Sequence, residues 1–268
     1  MFDLLFSPRK AQRHPFEIFF IGIVYSSIAI LFSLWVFPNY ISIAFVFLTV
    51  FSCLYLVQGA IKIEEKKETK YKTEKWILKK HSKLVILILA LFLGYIISFS
   101  IWSFALPLDK ATQIFGFQKS TLEGIQSMIA TGSFDKMGAF SAILSNNIKV
   151  LIISLVFAIF FGAGAIYVLV WNASVMGFVI GDLARQTIGA AALPLAFTKY
   201  FIHGIPEMLA YLITALAGGI LYSAMIRGDL TVSEKKKKIF LDILTLIIIS
   251  IVLLVIAAVI ETNISPYI

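Results

Sequence analysis

The sequence predicts an all-α protein, a polytopic transmembrane helical bundle of six full spans plus a broken or re-entrant helical segment. Three observations lead there. The 268 residues are 60% apolar and only 14% charged, with a mean hydropathy of +0.94, whereas a soluble globular chain is nearer half apolar and a quarter charged. Five runs carry no charge, at 18–61, 84–108, 150–181, 208–226 and 243–260. Each can cross a hydrocarbon core that needs about 20 helical residues, and the first can cross twice. These runs are continuously apolar, without the alternation of a membrane β-barrel strand. Third, 17 of the 23 basic residues gather in three segments: Arg9, Lys10 and Arg13; residues 62–83; and Arg227 with Lys235, Lys236, Lys237 and Lys238.

The positive-inside tendency assigns those segments, and the N-terminus with them, to the cytoplasm. Parity then orders the spans. A helix over 16–37 leaves the cytoplasm and turns at Pro38-Asn39, and a second over 41–61 returns, so that 1–61 form an N-terminal transmembrane hairpin. Residues 62–83, nine lysines against four glutamates, form a lysine-rich cytoplasmic linker. Its glutamates stand at helical spacings from lysines, which lets the second helix continue into it. The transmembrane core, 84–268, opens with a span over 84–106.

Residues 107–147 are then the longest stretch on the far side. Leu122, Ile125, Met128 and Ile129 have the spacing of one apolar helix face, with a cap at Ser120 or Thr121. This outer amphipathic segment is the natural docking surface for an external partner. The next span begins near Ile148 and ends near Val170. A helix over 204–225 must finish inside, because Arg227 and four lysines follow it. The chain therefore returns outward through 171–199, where Asp182, Arg185, Gly177, Gly181, Gly189 and Pro194 make an ordinary span difficult. Two half-helices, 174–183 and 187–197, meeting at a polar break with Asp182 and Arg185 paired, would satisfy the backbone. An interfacial segment is the alternative. The last helix, 239–259, exits.

Ionisable groups at the border of apolar spans are costly, so they need a partner, a lumen or a task. The polar cluster that qualifies comprises His203, Glu207, Asn146, Asn147, Asn172, Asp182 and Arg185. A helix beginning near Gly204 would place His203 just before it and Glu207 in an early turn, facing the positive end of the helix dipole. Tyr211, Thr214 and Gly218 continue that face. The group reads either as a hydrogen-bonded knot between helices or as the wall of a site handling protons. Each asparagine stands near an expected helix end, where capping is the ordinary role. Gly162, Gly164, Gly177, Gly181 and Gly218 mark small-residue faces for close helix contact, which favours a homo-oligomer as well as internal packing.

No catalytic residue is identified: the chain has no His-Glu-x-x-His, phosphate loop or Gly-x-Ser-x-Gly elbow. Its three histidines lie far apart, so no metal site is expected, and nothing calls for a cofactor. The one cysteine, Cys53, lies inside an apolar run and reads as a small buried hydrophobe. The lysine runs are short and pinned between spans, which favours anionic lipid headgroups over nucleic acid as their partner.

Asn146-Asn147, the run Phe161-Gly162-Ala163-Gly164, Asn172 with Gly177, and His203-Gly204-x-x-Glu207 followed by Ala217-Gly218 form a pattern. Over about residues 115–225 it resembles the stage II sporulation protein M family, although Pro206 stands directly before Glu207 here. The resemblance implies a multispanning anchor that recruits cell-wall-cutting partners and has no hydrolase activity of its own. Similar chains occur in organisms that never sporulate, so what carries over is membrane assembly rather than sporulation. A transporter or channel with a polar path near Glu207 and 171–199 is the other function class. An intramembrane enzyme would need further side chains converging on His203.

Overall fold

The computed structural model describes residues 7–68, 82–131, 136–161, 165–187, 189–231 and 233–263. Among them every regular element is helical. In chain order these are α1 (Pro8–Ala11), α2 (Pro15–Val36), α3 (Ile41–Glu68), α4 (Ser82–Ala105), α5 (Leu108–Ile114), α6 (Gly116–Thr131), α7 (Lys136–Phe161), α8 (Ala165–Gln186), α9 (Leu193–Ile226) and α10 (Ser233–Asn263). Seven of them, α2, α3, α4 and α7 to α10, are long and apolar enough to cross a membrane. The fold class is the one the sequence predicts, and the protein is a multi-pass membrane protein.

Local chemistry explains most boundaries. Pro15 and Pro194 each stand in a first helical turn, where the missing N–H would have no helical partner anyway. Helix α3 runs past Ile61 as far as Glu68, in keeping with the charge spacing of the linker. The remaining linker positions, including Lys70, Lys72, Lys75, Lys79, Lys80 and His81, lie outside the described residues, as does Asp135. Between 107 and 147, α5 and α6 occupy 108–131, and α7 already begins at Lys136.

The interruption expected within 171–199 is present, but later than Asp182. Helix α8 continues to Gln186, and the chain breaks before a short 3-10 turn at Gly189–Ala192. Gly189 has φ of +71° there, a left-handed conformation that glycine adopts without a Cβ penalty. Asp182 and Arg185 thus occupy the last turns of α8 rather than the middle of a span. A cation at a helix C-terminus suits the helix dipole.

The chain divides into two compact units, one running to Phe117 and including Val170–Val179, the other formed by Gln118–Leu169 and the chain from Ile180 onward. In the first, α2 packs between α3 and α4. Its core is aromatic: Phe45 meets Phe99 at 5.2 Å and Phe115 at 5.5 Å, and Phe115 stacks on Phe178 at 5.7 Å. Ser103 Oγ donates to the Phe178 carbonyl at 3.1 Å. A Cβ at Gly177 would stand 2.5 Å from that of Phe99, so only glycine allows this approach. In the second unit α9 and α10 form a long hairpin, and α7 packs against both.

Candidate functional site

The site is built on α9. This helix begins at Leu193, eleven residues before the expected start at Gly204, and holds Pro206 in its interior. Two prolines could have opened the helix; Pro194 does so because 193–202 is mostly apolar, with only Thr198 and Lys199 against it, and extends the helix. Pro206 cannot donate to the Ile202 carbonyl, a loss tolerated inside a long membrane helix. In consequence His203 does not precede the helix. It shares a face with Glu207, one turn on.

From that point a polar stripe runs down α9. The buried His203 hydrogen-bonds the backbone of Lys199 and lies edge-on to Tyr200, with ring centroids 6.0 Å apart. Glu207, half-buried, accepts the Tyr211 hydroxyl at 2.8 Å. Tyr211 and Thr214 are 0% exposed, and Thr214 Oγ1 has no hydrogen-bond partner among the described residues. Below them, a Cβ on Gly218 would fall 2.5 Å from that of Ala158 and 3.1 Å from the Leu155 carbonyl oxygen. At that level the stripe is packed directly against α7.

One member of the cluster is absent from the sequence reading. Glu261, in the last turn of α10, lies close enough to Glu207, Tyr200 and Tyr211 for its charge to act on all three. Asp182 acts on Tyr200 in the same way. A signal for Glu261 existed: it is the first charge after the 243–260 run, as Glu207 is the last before 208–226. Arg227 lies twenty positions after Glu207, about 30 Å of helix, or one hydrocarbon thickness. The carboxyl pair therefore stands at the end of the α9–α10 hairpin opposite its lysines.

The other expected members are arranged differently. Asp182 accepts a hydrogen bond from Gln186 Nε2 at 2.6 Å, while Arg185 Nη1 and Nη2 are buried without a partner among the described residues, so the two do not pair. The asparagines are not caps. Asn146 and Asn147 lie well inside α7, which starts ten residues earlier than Asn146, and Asn172 lies inside α8. Asn147 is 4% exposed, and its Nδ2 has no partner among the described residues. Asn172 is ten residues from Asp182 on one helix, about 15 Å away. Gly181 is buried, while Gly162 and Gly164 lie outside the described residues. No group of three or more His, Cys, Asp or Glu among the described residues could hold a metal ion. The arrangement can bond helices to one another, and it places two carboxyls within each other's electrostatic reach.

A family model described as stage II sporulation protein M matches residues 83–266. The chain is also 36% identical over 132 residues to an uncharacterised protein of Methanocaldococcus jannaschii, covering 47% of this chain and 71% of that protein. No solved structure matches the chain.

Proposed function

Since the chain belongs to the stage II sporulation protein M family, we propose that it is an integral membrane scaffold that organises a membrane-associated complex. The observation that carries this reading is the closure of the polar stripe. Glu207 is hydrogen-bonded by Tyr211, and beyond it Tyr211, Thr214 and Gly218 are buried in packed protein. A conduit needs a wet route past its ionisable group, whereas a knot that fixes helices needs the opposite. In this reading the N-terminus and the basic segments face the cytoplasm against anionic headgroups. The hairpin 1–61 packs with α4, and α5 with α6 offers the surface for an external partner. Two copies associate through small-residue faces. Sporulation itself is no part of the proposal.

Reconstitution in sealed vesicles tests it. Parent protein and Glu207→Gln should both give proton and alkali-cation flux equal to protein-free vesicles, while the variant melts at lower temperature. Flux carried by the parent and lost in the variant would overturn the scaffold reading. It would favour the second one, a proton or cation path, which the closeness of Glu207 and Glu261 supports because a purely structural knot does not need two neighbouring carboxyls.

A further inference from the structure

At the other end of the α9–α10 hairpin lies a groove with a volume of about 560 Å³, within the usual range of small-molecule sites. Leu221 of α9 forms one wall, and Lys236, Lys237, Phe240 and Ile243 of α10 form the other, with Leu230 at the turn. Lys236, Phe240 and Ile243 follow helical spacing, so the groove runs along one face of α10. Its polar end is the lysine pair. Six or seven residues further, about 10 Å along the helix, its lining is entirely apolar at Ile243 and Leu221.

The electrostatics there are unbalanced. Arg227, at the end of α9, is occupied: Nε bonds Asp229 at 2.9 Å and Nη1 bonds Ser223 Oγ at 2.7 Å. Lys236 and Lys237 are exposed and form no ion pair among the described residues. Beside them Phe240 is 64% exposed, Ile226 68% and Met225 55%. Such a band of large apolar side chains belongs in hydrocarbon, with the lysine heads reaching to its border.

We propose that this groove binds one anionic phospholipid, its phosphate on Lys236 and Lys237 and one acyl chain along Phe240, Ile243 and Leu221. Charge complementarity selects the headgroup, and the change from cationic to apolar lining over about 10 Å matches an amphiphile rather than a free anion. The site goes beyond the scaffold reading and stands whether or not the Glu207 cluster is sealed.

The full chain, purified in neutral detergent and stripped of lipid, can be titrated with phosphatidylglycerol, phosphatidylcholine or inorganic phosphate and followed by native mass spectrometry. The proposal expects one phosphatidylglycerol per chain, with phosphatidylcholine and phosphate failing to bind. Lys236→Gln with Lys237→Gln should weaken binding about 30-fold, from about 1 kcal/mol for each lysine. Ile243→Trp, which fills the groove and leaves the charge alone, should also weaken it. Arg9→Gln with Lys62→Gln, removing two exposed cations elsewhere, should have no effect. Size-exclusion profiles like the parent's establish that the variants are folded. Equal binding of phosphatidylcholine, tight binding by the lysine variant, indifference to Ile243→Trp, or equal loss with Arg9→Gln and Lys62→Gln would each overturn the site. Binding of phosphate alone would show an anion site and not a lipid site.

Discussion

At the scale of single residues, the hydroxyl of Tyr211 holds the Glu207 carboxyl from one turn below, inside a helix that offers few other donors. Tyr211→Phe keeps the packing and removes that donor, and should cost about 1–3 kcal/mol, read as a lower melting temperature in detergent; an unchanged melting temperature would show the bond is idle. Gly218→Ala puts a methyl where Ala158 already is, a clash worth about 1–3 kcal/mol. Ala158→Gly in the same chain should recover part of that loss, and no recovery would mean the two positions do not touch. The stripe His203, Glu207, Tyr211, Thr214, Gly218 was legible as spacing, because helical periodicity is local. Glu261 was not, because no spacing rule links residues 54 positions apart; only the folded hairpin brings them together. Thr214 Oγ1 and Asn147 Nδ2, both buried and unpartnered among the described residues, are equally invisible before packing is known.

Helices are where the sequence reading and the structure differ most, and the reason is the competition between punctuation marks. Asp182 and Arg185 suggested a break, yet a polar residue at a helix end costs little, and Gln186 takes up Asp182 within α8. The break falls at Gly189, whose positive φ no branched side chain adopts comfortably. Gly189→Val should therefore destabilise the α8–α9 connection by about 1–2 kcal/mol. Gly219→Ala, at a helical site with nothing within 4 Å of a Cβ, should stabilise α9 by about 0.5–1 kcal/mol. Equal effects of the two, measured by chemical unfolding, would contradict the assigned break. Similarly, Pro206 looked like a helix start because proline favours the first turn, and only the length of apolar chain before it shows that α9 is already under way. The asparagines were misread for a related reason: α7 begins at Lys136, before its charge-free run, so Asn146 and Asn147 fall in its interior.

On the scale of the whole molecule, seven candidate spans and three basic segments leave one charge-consistent topology. Cys53 is the sole cysteine, so Cys53→Ala gives a background in which single cysteines report sidedness. Cysteines at Arg9, Lys62 and Lys237 should react with an impermeant maleimide from the cytoplasmic side, and those at Lys110 and Thr187 from the other. A mixed pattern within either set would refute the topology. Composition and the charge-free runs carried the multi-pass helical architecture, since a bilayer penalises every buried charge by the same rule. They could not say whether the polar stripe is dry, because that depends on how tightly α7 closes against Gly218. The most direct test is a cysteine at Thr214 in the Cys53→Ala background, in intact vesicles. The scaffold account predicts no labelling by a hydrophilic maleimide from either side, with full labelling once the protein is unfolded. Labelling of the folded protein would reveal a water path past Glu207 and contradict the account.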